Sequence, residues 1–355
     1  MEILVVKMSA LGDVIQALPV IPALKQAFPD ARLHWLVEEE AEPILRSHPG
    51  LERVLVSRRR GWARELRHPS QWASALRGVG DLVSQLRGIR YDIAVDLQGL
   101  LKSGLWMGLA PARRKVGFNG TREGSHLFLT ERVPVACPDM HAVERYLSLV
   151  EAIGGVTNRV DFGLFPSEEA RSRLRGMLEK EGWGLGTPYT VLVPGARWET
   201  KRWGAASFAQ VADGLQRALG LRVAITGVSA DRPLARRILQ RMREPALDLT
   251  GSTDLPALMA LLAGAKAVVS TDSGPMHLAA ALGTPAVCLF GPTAPWRTGP
   301  YGRGHRVIRA AVSCSPCFRR QCPHPICMER IRPEEVEEAV MEVVKAKAEA
   351  KSIDS

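Results

Sequence analysis

Asp272, Ser273, Gly274 and His277 fall within one stretch, Ala267 to Pro292, reading AVVSTDSGPMHLAAALGTPAVCLFGP. The pattern predicts an apolar strand over Ala267–Ser270, a polar turn, a helix from about Pro275 and a second strand over Ala286–Phe290. Parallel α/β sheets present ligands at such strand-to-helix turns. Gly274 lets the backbone come close to a ligand. Pro275 at the first helical position gives up no needed N–H, and the free amides there attract anions. His277, within the first turn, adds a side-chain donor. This is the chemistry of a seat for a phosphate or diphosphate. An ordinary βαβ turn with an Asp cap would read the same way.

Similar turns recur along the chain. EILVVK at 2–7 is a β-rich apolar run, followed by the loop Met8-Ser9-Ala10-Leu11-Gly12-Asp13 and an amphipathic helix to about Phe28. The loop lacks the three spaced glycines of a dinucleotide fingerprint, which demotes hydride transfer. Asp13 stands where loop becomes helix, and a carboxylate there is either a helix N-cap or a general base. The strand Tyr91–Asp96 runs into Leu97-Gln98-Gly99-Leu100-Leu101-Lys102, placing Gln98 and Lys102 at another such turn. The strand Tyr189–Val193 leads through Pro194-Gly195 to Lys201, ahead of a helix over Ala205–Leu219. Asp231 lies at the helix start that follows the strand Arg222–Thr226.

The elements that position these residues alternate throughout. Ala31–Val37 and Leu51–Val56 read as strands, with a short helix over Glu40–Ser47 between them. Arg58, Arg59 and Arg60 open a basic loop continued by Arg64, Arg67 and His68, with Trp62 and Trp72 interleaved. Such a run is either a solvated face or a grip on an acceptor rich in phosphate or carboxylate. A helix over Gln71–Leu86 follows, Arg113–Phe118 and the turn bearing Arg122 complete this half, and a helix begins at His141. Gly154 to Pro166 lacks periodicity and reads as a connection; helical periodicity resumes over Ser167–Glu181 and, later, Leu255–Ala263, and a closing helix is expected from Pro333 to Lys351. Two successive βα sets predict an α/β protein of two doubly wound Rossmann-like domains facing across a cleft.

With 355 residues, 46% of them hydrophobic and 24% charged, the chain is long enough for two domains with substantial cores. No apolar run approaches ~20 residues, so no membrane span is expected. The opening residues read as a first strand and not as a signal peptide, which implies a cytoplasmic protein. Forty-seven basic against 37 acidic residues, a net charge of +10, imply anionic partners. Only 6% of residues are aromatic, which argues against a stacking platform for single-stranded nucleic acid.

Four of the six cysteines crowd into Cys314-x2-Cys317-x4-Cys322-x4-Cys327. Four thiolates over this span are enough for a tetrahedral zinc or iron site of structural character, although the spacing is not a pair of C-x-x-C knuckles. The alternatives are reduced cysteines in a surface loop, or disulfides, which a cytoplasmic setting disfavours.

Several segments together resemble the heptosyltransferases of glycosyltransferase family 9: LVVKMSALGDVIQALP near the start, DLQGLLKSGL at 96–105, HAVER at 141–145, TKRW at 200–203 and STDSGPMHLAAALGTPAVCLFGPT at 270–293. The DLQGLLKS and WLVEE segments resemble the enzymes that add the first heptose to the lipopolysaccharide inner core. The resemblance implies a GT-B architecture, with an acceptor-binding domain over 1–165, an ADP-sugar domain over 166–330 and a C-terminal helix over 331–355 crossing back. It implies inverting transfer of L-glycero-D-manno-heptose from ADP-heptose to Kdo of lipid A, by a cytoplasmic enzyme held peripherally on the anionic inner membrane. Carried over by position, Asp13 is the general base and Lys201 neutralises the departing diphosphate. Asp231, Asp272, Ser273, Gly274 and His277 bind the donor, while Arg58, Arg59, Arg60, Gln98, Lys102 and Arg122 are expected to hold the acceptor. No D-x-D pair occurs, so no cofactor is expected for transfer. Some relatives that glycosylate autotransporters carry a four-cysteine metal finger in the region of the cysteine cluster. Transfer to a second heptose or to a protein is the alternative within the family, and a nucleic-acid-binding module is the alternative outside it.

Overall fold

Strand β1 (Glu2–Val6) is buried at four of its five positions, and the strands beside it are nearly as apolar. Such strands belong in the middle of a parallel sheet, where helices cover both faces. The computed structural model describes residues 1–46, 48–184 and 186–353; the side chains of Arg122 and of residues 350–353 also lie outside the described set. The chain divides into two units, Met1–Gly163 and Leu164–Ser355.

In the first unit, β1 is joined by β2 (Arg32–Glu38), β3 (Arg53–Ser57), β4 (Tyr91–Asp96), β5 (Ala112–Phe118) and β6 (Glu131–Val133) in a parallel sheet of order β3-β2-β1-β4-β5-β6. The order reverses between β1 and β4, and there an open α/β sheet offers a crevice at the carboxyl ends of its strands. The expected continuous helix to Phe28 is two helices, Leu11–Ala17 and Val20–Ala27, because Pro19 cannot donate within a helix interior. The expected basic loop is also helical, over Arg59–Glu65, and turns Trp62 into the core with Ala75, Leu82 and Leu86 of the helix Trp72–Arg87. On the helix Leu101–Leu109, Gly104 and Gly108 leave room for the Phe128 ring. A Cβ on them would stand 2.7 and 2.8 Å from it.

The second unit repeats the plan. Strands β7 (Tyr189–Val193), β8 (Arg222–Ile225), β9 (Leu247–Asp248), β10 (Ala267–Thr271), β11 (Ala286–Leu289) and β12 (Arg306–Ile308) form a parallel sheet of order β12-β11-β10-β7-β8-β9. Its reversal lies between β7 and β10. The helix Pro333–Ile353 packs on the helix Ala205–Leu219 and on β10, β11 and β12 through Val336, Val340 and Val343. These positions recur at helical spacing. Residues 333–353 group with the second unit.

Candidate active site

Each reversal point gathers polar side chains. In the first unit, Asp13 lies in the first turn of the helix Leu11–Ala17, just beyond β1. The N-cap is Ala10, whose N–H donates to Asp13 Oδ2 at 3.2 Å. The carboxylate thus steadies the helix start from inside it and still keeps a side chain 42% exposed. Beneath it, Lys7 is buried, with Nζ 3.9 Å from Asp13 Oδ2 and 4.8 Å from the centre of the Tyr146 ring. Burial opposes the charge on Lys7, but the Tyr146 hydroxyl and the Asp13 carboxylate outweigh it and hold its pKa above the ordinary lysine range. Lys7 and Tyr146 were not singled out from the sequence. A lysine within an otherwise apolar strand end is the signal that could have found the first of them.

The loop between Lys7 and Asp13 is held from β4. Gln98 Oε1 accepts from the N–H groups of Met8 and Ser9, both at 3.0 Å. Gln98 therefore uses its carbonyl to shape the loop that carries Asp13. Lys102 Nζ donates to Glu38 Oε1 at 2.8 Å and also bonds the Ser9 hydroxyl. Glu38 is buried and takes Arg59 Nε as well, at 3.1 Å. Burial pushes the Glu38 carboxyl up, but Lys102 and Arg59 reverse this and hold it below the usual carboxylate range.

Arg58, Arg59 and Arg60 do not present three free charges. Arg58 pairs with Glu39 at 3.4 Å, Arg59 with Glu38, and Arg60 with Glu40. The β2–β3 register, which sets Glu38 opposite Ser57, brings the Glu38-Glu39-Glu40 run beside these arginines. The side chain of Arg122 lies outside the described residues.

In the second unit, Lys201 follows β7 and Asp272 follows β10. Lys201 Nζ stands 2.6 Å from Asp272 Oδ2, and the Thr293 hydroxyl donates to the same oxygen at 2.6 Å. Lys201 also lies over the Trp198 ring, 4.5 Å from its centre. Ser273 is the N-cap of the helix Gly274–Ala281, and its hydroxyl is 3.1 Å from that of Ser270. Gly274 opens the helix, while His277 is buried in its first turns. Asp231 is buried beyond β8, with Gly195 of the β7 loop packed on its carboxylate so closely that a Cβ there would stand 2.3 Å from Oδ2. Arg202 approaches it at 3.8 Å. Lys201, Asp231, Asp272, Ser273 and Gly274 thus share one edge of one sheet. Its members can bind an anion through Lys201 and the helix amides.

The cysteine cluster does not form the expected metal site. Among the described residues, no group of three or more His, Cys, Asp or Glu side chains is arranged to hold a metal ion. Cys327 is drawn into the core against Gly291, whereas Cys314 and Cys322 face solvent. Burial pushes the Cys327 thiol up, and the neighbouring sulfurs add to the effect.

Residues 79–327 match the model of glycosyltransferase family 9 (heptosyltransferase). The chain is 31% identical to lipopolysaccharide heptosyltransferase 1 of Pseudomonas aeruginosa, over 95% of this chain and 96% of the relative. Its structure is similar to that of E. coli heptosyltransferase WaaC with ADP, with a TM-score of 0.76 and 26% identity over 97% of this chain and 100% of the other. It is also similar to E. coli ADP-heptose lps heptosyltransferase II, with a TM-score of 0.78 and 25% identity over 98% and 100% of the two chains. With two six-stranded parallel sheets and this likeness to both structures, the chain has the α/β GT-B fold. With the family pattern spanning both sheets and polar clusters at both reversal points, the chain belongs to glycosyltransferase family 9, the heptosyltransferases.

Proposed function

We propose that this protein transfers L-glycero-D-manno-heptose from ADP-heptose to a Kdo residue of lipid A in lipopolysaccharide inner-core synthesis, with inversion at the anomeric carbon. The observation that carries the reading is the Lys201–Asp272–Thr293 cluster at the reversal point of the second sheet, a place suited to a diphosphate. The names of the relatives supply the sugar.

In this reading the second unit binds the donor and the first unit the acceptor. Asp13 takes the proton of the acceptor hydroxyl as its oxygen attacks the anomeric carbon. The bond from that carbon to the β-phosphate oxygen breaks, and its electron pair leaves with ADP. Lys201 and the amide groups at the start of the helix Gly274–Ala281 stabilise the charge that develops there. Ser273, Gly274 and His277 face the phosphates and Asp231 the ribose. Lys7 keeps Asp13 oriented toward the hydroxyl. Arg58 and Arg60, with side chains 58% and 48% exposed, exchange Glu39 and Glu40 for acceptor phosphate when it arrives. Gln98 and Lys102 shape the acceptor side of the loop; Arg122 is included among the acceptor residues on the family resemblance alone. Lys201 and backbone dipoles supply the electrostatics of leaving, so transfer proceeds without a divalent cation.

The proposal includes peripheral attachment to the anionic inner face of the inner membrane. No helix among the described residues is long and apolar enough to cross a membrane. Of the large apolar side chains exposed in the first unit, Leu66, Trp72, Leu76, Leu101, Leu105 and Leu127 all lie on or beside helices that begin at the carboxyl edge of the sheet. Arg64, Arg67 and Arg77 stand among the first three of them, exposed. Apolar side chains ringed by cations suit an anionic lipid surface.

The test is a transfer assay with ADP-heptose and Kdo2-lipid A, with and without chelator. Acceptor-dependent release of ADP that survives chelation is expected. Turnover confined to an acceptor that already carries heptose would move the enzyme one step along the core. Binding of no ADP-sugar at all would overturn the proposal.

A further inference from the structure

The cysteine-rich loop has no part in the reaction as written, yet it is fastened to the donor cluster at three points. The N–H groups of Cys317 and Phe318 donate to the Pro292 carbonyl at 3.0 and 2.8 Å, next to Thr293. The Thr200 hydroxyl donates to the Arg319 carbonyl at 2.8 Å, next to Lys201. Cys327 anchors the far end in the core against Gly291. Between these anchors the loop carries Arg320 to the ring of Trp198, with Cζ 5.1 Å from the ring centre. Lys201 lies over the same ring at 4.5 Å. One indole therefore carries two cations.

Their charges are committed differently. Lys201 spends its charge on Asp272 at 2.6 Å, so that pair is close to neutral as seen by an arriving anion. Arg320 is exposed and forms no ion pair among the described residues. A diphosphate gains negative charge as its sugar leaves, and a planar guanidinium fixed on an aromatic face is well made to take two of its oxygens.

We propose that Arg320 is a further diphosphate-binding residue, delivered to the donor cluster by the cysteine-rich loop; this rests on the reading of that cluster as the ADP-sugar site. Arg320 supplies the uncompensated positive charge that the Lys201–Asp272 pair lacks. The loop then acts as a bracket whose folding sets the affinity for the donor's phosphates and leaves the nucleoside contacts alone.

Isothermal titration of the full-length protein with ADP, inorganic pyrophosphate and adenosine tests this. Arg320→Gln is expected to weaken ADP and pyrophosphate about tenfold and leave adenosine unchanged, with Arg320→Lys, which keeps the charge but loses the planar two-pronged grip, recovering only part of the loss. The salt dependence of ADP binding should be shallower in Arg320→Gln than in the parent. Equal loss for adenosine would make Arg320 a merely structural residue and overturn the assignment. Unchanged affinity for ADP and pyrophosphate in Arg320→Gln, with the parent binding both, would overturn it while leaving the donor site in place. A parent protein that binds neither would remove the donor reading and this residue's role together.

Discussion

Lys201 Nζ and Asp272 Oδ2 meet at 2.6 Å, each at the carboxyl end of a strand flanking the reversal point of the second sheet. The contact aims the ammonium and also spends much of its charge. Asp272→Asn should free that charge and remove a carboxylate from beside the diphosphate. ADP is then expected to bind about threefold tighter while turnover falls about tenfold, because the lysine loses its aim. Titration of ADP together with steady-state transfer rates checks both halves.

Lys7 should matter to turnover far more than to donor binding. It is buried beneath Asp13 and held charged by Tyr146 and Asp13. Lys7→Met leaves the fold's packing nearly filled but takes away the cation that orients the carboxylate. A fall in kcat of about tenfold or more with little change in ADP affinity is expected. Stability should be followed by thermal unfolding, so that a loss of fold is not mistaken for a loss of rate.

Glu38 predicts an acid-sensitive first unit. Its carboxyl is held below its ordinary value of 4.5, so the stability it contributes is present above that pH and is lost as pH falls through the folded value. Below it, Lys102 and Arg59 lose their shared acceptor. Glu38→Gln should cost about 3–5 kcal/mol at pH 7, the range for breaking a buried pair, and should flatten the loss of stability as the pH falls below 4.5. Chemical denaturation across that range measures the difference.

The exposed apolar face of the first unit predicts lipid binding. Replacing both Trp72 and Leu76 by Glu should reduce co-sedimentation with vesicles containing anionic lipid by about tenfold or more, and leave binding to neutral vesicles, weak from the start, little changed. Activity on a water-soluble Kdo acceptor should be retained. Unaltered vesicle binding in the double variant would move the membrane contact elsewhere.

Much of the architecture could be read from the chain because local patterns carried it. The apolar runs at Tyr91–Asp96 and Tyr189–Val193 became strands at those limits, and the turn at Asp272 became a helix start. Facts that depend on distant partners could not be read. Arg58, Arg59 and Arg60 look like free charge until the β2–β3 register sets Glu38-Glu39-Glu40 beside them. Trp62 and Trp72 look alike in sequence, but helix phase sends the first into the core and leaves the second half exposed. Gln98 and Lys102 were placed at the right turn, yet their main bonds go to the Met8-Ser9 backbone and to Glu38. The cysteine spacing does not reveal that Cys327 is buried while Cys314 and Cys322 are exposed.

The proposed transfer divides the work between a base on the first sheet and a diphosphate grip on the second. The most direct measurement compares Asp13→Ala with Lys201→Ala for ADP affinity and for heptose transfer to Kdo2-lipid A. Asp13→Ala should keep ADP affinity within about twofold and lose transfer by about a thousandfold, whereas Lys201→Ala should lose both by about tenfold or more. Full transfer by Asp13→Ala, or ADP affinity and transfer both unchanged in Lys201→Ala, would contradict that division.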